Sequence, residues 1–343
     1  MGLRLQFALA MGVSVAASLM LLPSASAQYD PSPRIDVNGE PASPPAQITL
    51  PRGVVEAASV YQAYQRNASA IHAAFHDGEA INRAMNVGEA YQPQQMDEGL
   101  VAYTAMIALA DAAFVRGVRA TVRGPEEAAR EADALLAEPA DITAIPGAIE
   151  AAAMAGAVLR EEGGQLLAAG RAVKQSAYDV QHEDWSKRPA PDQAGRLARA
   201  KLVSASAAIP TPDDVSHLLH AAVAFQGRRV SGYDGAALSP AIERGLTLAA
   251  LAVLGQADDE HRLEGLWADR GAAGCMRMAK LNLYQCLAVA GPHYENIFCL
   301  GQHALMDTGQ CIAAIGGAER LESRLSGDRA DRGAVEIPVA DNR

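Results

Sequence analysis

His72, His76 and Glu79 stand at i, i+4 and i+7. On one helix that spacing aligns two imidazoles and a carboxylate, and His-x-x-x-His can chelate a divalent metal such as zinc or iron. The same residues also continue a polar stripe of Gln62, Gln65, Ser69, His72, His76, Glu79 and Arg83, with Ile71 and Phe75 on the apolar side. A continuous polar stripe is the pattern of a solvated helix face. His217 and His220 form a second pair, behind the cap sequence Thr211-Pro212-Asp213-Asp214. Were the two pairs to meet across a bundle, Glu79 or Asp214 would complete a four-ligand site of the kind helical metal proteins build.

Two further candidates are acid-base groups. His303 and Asp307, at i and i+4, are spaced as a His–carboxylate dyad or as an ordinary surface pair. Glu150 lies among apolar residues. Burial there would raise its pKa toward that of the general acid in an all-α hydrolase, whereas the wet face of an alanine-rich helix would leave it ordinary. The sequence contains no Gly-x-Ser-x-Gly, Ser-x-x-Lys, His-Glu-x-x-His, Walker loop or Cys-x-x-Cys-His.

All four cysteines, Cys275, Cys286, Cys299 and Cys311, fall in one late segment that reads as two helices around Gly291-Pro292. Glycine takes the left-handed cap and proline cannot continue a helix, so the chain turns there. Cys286 and Cys299 are nearly equidistant from the turn, as are Cys275 and Cys311. An antiparallel hairpin therefore predicts nested bridges, Cys286–Cys299 and Cys275–Cys311. Cys275 and Cys286 in one helix would lie roughly 16 Å apart, beyond the reach of about 7 Å between Cα atoms that a disulfide tolerates. One misfit stands out: the spacing from Cys299 to Cys311 turns them about 120° apart on a regular helix. The expectation is that Gly309 ends the second helix and frees Cys311 to turn inward. The competing zinc site would use Cys299 and His303, with His293 at the turn.

An oxidising compartment favours the disulfides, and the N-terminus points to one. Arg4 precedes an apolar run from Leu5 to Leu22, then Pro23 and an Ala25-Ser26-Ala27 site. This predicts a secretory signal peptide over residues 1–27, cleaved after Ala27, and a periplasmic or secreted mature protein beginning at Gln28. An uncleaved anchor is the alternative. Without Arg4 the charge is 28 basic against 40 acidic residues. So acidic a surface has no general attraction for nucleic acid or anionic lipid. No later apolar run is long enough to span a membrane, so the mature chain is expected to have no transmembrane segment.

Alanine-rich composition, few aromatics and no sustained alternation predict an all-α fold, a multi-helix bundle or a two-lobed helical array with a C-terminal disulfide-stapled hairpin. Residues 28–51 read as a proline-rich linker, 52–185 as an N-terminal helical lobe, 186–317 as a C-terminal lobe containing the hairpin 275–311, and 318–343 as a charged flexible tail. Helical blocks are expected at Val54–Ala90, Gln94–Val122 and Pro146–His182. Gly156, Gly163, Gly170 and Ala177 recur every seven residues along the last. That row marks either close approach of a neighbouring helix or, at Gly163-Gly164, a break. Gly232 and Gly235 flank Tyr233-Asp234 in a loop that is either a pocket rim or a plain turn.

The expected function is an exported helical protein of a Gram-negative envelope, acting as a binding or structural component with no cofactor. Its partner would be another envelope protein or a small ligand. The alternative is a periplasmic metal-binding protein or hydrolase using the helix-borne histidines and a divalent metal such as zinc or iron.

Overall fold

The computed structural model describes residues 48–227, 238–267 and 270–318. The expected signal peptide, most of the expected proline-rich linker, the expected Gly232–Gly235 loop and the expected charged tail beyond residue 318 lie outside the described residues.

Alanine-rich stretches punctuated by capping side chains and prolines fold into helices: α1 Arg52–Ser69, α2 Gly78–Gly88, α3 Pro93–Leu109, α4 Ala112–Ala120, α5 Pro125–Ala137, α6 Ala148–Val180, α7 Asp184–Lys187, α8 Gln193–Ala205, α9 Pro212–Ala224, α10 Pro240–Val253, α11 Glu260–Trp267, α12 Arg270–Val289, α13 His293–Cys299 and α14 Asp307–Ile315. A short 3-10 turn, Pro139–Ala144, precedes α6, and a π-helical turn, Leu300–Met306, joins α13 to α14. The all-α expectation holds, with no strand among the described residues. No single described helix is both long and apolar enough to cross a membrane.

α3 occupies the centre. Met96, Leu100, Val101, Tyr103 and Ile107 are buried on it with the alanines between them, and a helix apolar all round must be enclosed by others. α1, α10 and α12 pack against it, Gly99 and Gly245 letting α1 and α10 come close. Helices from both sides of the Asp184–Asp192 segment join in one hydrophobic core.

Two expected helices are broken, each by an aspartate cap. The first block stops at Ser69 and resumes at Gly78, where the Asp77 side chain accepts from the Ala80 N–H at 2.7 Å. Between them Phe75, 3% exposed, plugs into the core and pins the non-helical segment. The second block turns by 89° between α3 and α4, where Asp111 accepts from the N–H groups of Ala113 and Phe114. Aspartate competes with the helical backbone and favours caps, which periodicity alone does not register.

α6 runs unbroken through Gly163-Gly164, and its glycine row is a contact seam. Gly156 faces Gly316, Gly163 faces Gly309 and Gly170 faces Gly301, each pair backbone against backbone. The seam is antiparallel, and its two sides have unequal spacing. Glycines repeat every seven residues on α6, but Gly301 and Gly309 are eight apart. The π turn, Leu300–Met306, contains Gly301 and ends before Gly309, and it takes up one extra residue, which restores the register.

The same turn resolves the cysteine misfit. Cys275–Cys311 and Cys286–Cys299 are both formed, with Cα separations of 5.8 and 5.7 Å. The expectation that Gly309 ends the second helix is wrong, since α14 continues to Ile315. With one residue absorbed by the π turn, Cys299 and Cys311 differ by an effective eleven positions, about 20° from alignment. That is also the offset between Cys275 and Cys286 on α12.

Candidate binding site

The histidine set does not share a helix. His72 and His76 are exposed in the non-helical segment between α1 and α2, and Glu79 in the first turn of α2 is ion-paired with Arg83 at 2.6 Å. His217 and His220 are exposed on α9, whose capping box uses Thr211 and Asp214. Asp214 is further held by Arg66 at 2.7 Å, which takes it out of the expected ligand set. Among the described residues no three His, Cys, Asp or Glu side chains are placed to hold a metal ion. Glu150 is exposed in the first turn of α6, not enclosed by the apolar residues around it in sequence.

His303 and Asp307 do meet, Nδ1 to Oδ2 at 2.8 Å, both half-buried. Asp307 also accepts from Asn282 and Gln302, which holds its carboxylate against the ring. His303 lies on the π turn itself.

Three polar groupings carry no sequence signature. Glu162 on α6 accepts from the hydroxyls of Tyr61 at 2.7 Å and Tyr103 at 2.8 Å. Burial raises its pKa to about 6 against the lowering effect of those two bonds. Lys280, 3% exposed, donates to the Glu89 carbonyl and to Ser204 Oγ, and its Nζ sits 3.7 Å above the Tyr91 ring. Burial lowers the Lys280 pKa to about 7 and raises that of Glu89 to about 7.

The third grouping lines a cleft of about 320 Å³ between α2, the start of α8, and α13. α8 contributes Arg196 and Arg199, α13 contributes His293 and Asn296, and α2 supplies Gly78 and Glu79. The α7–α8 connection docks on the hairpin turn: Ala190 N–H donates to the Gly291 carbonyl at 2.8 Å and His293 N–H to the Arg188 carbonyl at 3.2 Å. Gly78 is needed where it stands, because a Cβ there would collide with the His293 ring. Burial, then the charges of Arg196 and Arg188, push the His293 pKa down. Arg196 and Asn296 are 7% and 1% exposed. Arg196 Nη2 donates to the Ala290 carbonyl at 3.0 Å, and the Asp192 carboxylate acts on its charge; among the described residues its fully enclosed Nε and Nη1 find no hydrogen-bond partner, and neither does Asn296 Oδ1.

Comparison with protein-family models, with curated proteins and with solved structures finds no match to this chain. What the arrangement can do therefore rests on its geometry. The cleft is concave and of small-molecule size, with charged and polar side chains on its walls, the features of a ligand site.

Proposed function

We propose that this chain is an exported helical protein of a Gram-negative envelope that works as a binding component, with the cleft at the hairpin turn as its site. The carrying observation is that the Cys286–Cys299 bridge fastens α13, one wall of the cleft, to α12. A disulfide needs an oxidising compartment to persist, which agrees with the signal-like N-terminus. It also fixes the wall before any ligand arrives, and preorganisation lowers the ordering cost of binding.

The test is native mass spectrometry on protein released from the periplasm by osmotic shock. The expected species begins at Gln28, carries two disulfides and retains a small non-peptide mass that denaturation releases. Protein confined to the cytoplasm with free thiols would defeat the export reading. A correctly exported chain that never carries or takes up a small molecule would defeat the binding reading.

A second reading, a hydrolase, is favoured only by the His303–Asp307 pair. Loss of a measured hydrolytic turnover in Asp307→Asn would support it.

A further inference from the structure

We infer that the outer face of α9 is a contact surface between two copies of this chain, packed antiparallel about a two-fold axis. The inference concerns a different part of the fold from the cleft and stands or falls without it.

α9 is thinly covered. Of its 13 residues only Leu218 is buried, and the helix packs chiefly on α1. Pro212, Ser216, Leu219 and Val223 are all exposed, and their spacing of i, i+4, i+7 and i+11 makes them one stripe. Leu219 is 49% and Val223 60% exposed, and Ile209, just ahead of the helix, is 89% exposed. One exposed leucine is ordinary, but apolar side chains grouped on one face mark a contact surface. The Ile209 stretch is also held in place. The Gln95 carboxamide accepts from the Ala208 N–H at 2.9 Å and donates to the Ala208 carbonyl at 2.7 Å, and Pro210 restricts Ile209 to extended backbone.

Charge selects the occupant. Asp213 and His220 are exposed on the same flank of the stripe, seven positions apart, and neither is ion-paired with a described residue. Across a two-fold axis, residue i of one copy meets residue j of the other, and j meets i. An antiparallel pair centred between Ser216 and His217 therefore sets Asp213 of each copy level with His220 of the other. An imidazole N–H donates to a carboxylate whether the ring is neutral or charged. The same register seats Leu219 between Pro212 and Ser216 of the second copy, and carries Val223 to the second copy's Ile209-Pro210 stretch. A parallel pair would set Asp213 against Asp213. One register thus joins acid to base and covers the exposed apolar groups.

Sedimentation equilibrium of the full-length protein tests this over about 1–500 μM, the range in which weak pairs titrate. About 0.15 M salt screens the net negative charge of the two copies. A reversible dimer is expected, weak because one helix pair lies at the low end of interface sizes. Leu219→Asp should weaken it at least about tenfold with an unchanged circular dichroism spectrum. Asp213→Lys and His220→Asp should each weaken it several-fold by setting like charges together, and the two combined should restore it.

A chain that stays monomeric throughout would overturn the inference. If Leu219→Asp then also lowered the unfolding midpoint, the face would belong to another segment of the same chain. Unchanged dimerisation in a folded Leu219→Asp would place the interface elsewhere and overturn it equally. A combined variant no tighter than its two parents would overturn the antiparallel register.

Discussion

Gly163 on α6 and Gly309 on α14 touch through their backbones: a Cβ on Gly163 would lie 2.6 Å from the Gly309 carbonyl oxygen, and one on Gly309 would lie 2.8 Å from the Gly163 oxygen. Real Cβ atoms do not come that close to a backbone, so two helices would have to separate to admit a methyl group. The neighbouring Gly164 has nothing within 4 Å of such a Cβ.

The two glycines should therefore respond oppositely to alanine. Gly164→Ala should stabilise the fold by up to about 1 kcal/mol through helix propensity. Gly163→Ala gains the same propensity but overpacks the seam, and should cost about 1–3 kcal/mol net. Urea denaturation of both variants measures this; equal shifts of the midpoint would show that the seam is not tight.

The π turn makes a stronger demand. Deleting Gln302 brings Gly301 and Gly309 to a spacing of seven and Cys299 and Cys311 to a spacing of eleven, the spacings a regular α-helix requires. Both disulfides should still form, with the π turn converted to α-helix. Inserting an alanine after Gln302 adds about 100° of rotation and should leave Cys275 and Cys311 unpaired. Non-reducing peptide maps of the two variants check the pair of outcomes.

Glu162 should leave a mark on the pH dependence of stability. Its carboxyl is pushed from 4.5 to about 6 by burial, so in this window the folded state binds more protons than the unfolded. Stability therefore falls as pH rises from 4.5 through 6, by on the order of 2 kcal/mol from this group. Glu89, raised to about 7 by burial, adds a slope of the same sign that extends further. The difference between wild type and Glu162→Gln isolates the first contribution. Parallel stability curves for the two proteins between pH 4 and about 8 would mean the carboxyl is not shifted.

Much of the fold is legible in the chain because caps, prolines and alanine runs act locally. Thr211-Pro212-Asp213-Asp214 marks the start of α9, and Gly291-Pro292 marks the hairpin turn. The cysteine pairing follows from counting outward from that turn. The π turn does not, because a single extra residue leaves no composition signal and shows only as a misfit in spacing. His72 and His76 mislead for a related reason: their helical spacing is real in sequence, but the cap at Asp77 breaks the helix between α1 and α2. The cleft is the least legible part. Arg196 is one of three cations in Arg196-Leu197-Ala198-Arg199-Ala200-Lys201, and only the fold separates the buried one from Arg199 and Lys201, which are exposed. Its partners on α13 and α2 lie far away along the chain.

The last prediction concerns the inner staple. α13 is the first seven residues of the helical run that continues through the π turn into α14, and the bridge fastens the last of them to α12. The Cys286–Cys299 bridge closes a loop of 13 residues between α12 and α13, a constraint that contributes about 3 kcal/mol by loop-closure entropy and less while the outer bridge persists. Replacing both cysteines by serine removes the constraint and puts a hydroxyl at the buried Cys299 position. The rest of the body should stay folded, since α3 packs chiefly against α1 and α10, neither of which carries the bridge. Hydrogen exchange reads the difference directly. Amides of α13 should exchange much faster in the double-serine variant, while those of α3 keep their protection. If α13 stays as protected as in the wild type, packing alone holds the cleft wall, and the staple has no part in preorganising the site.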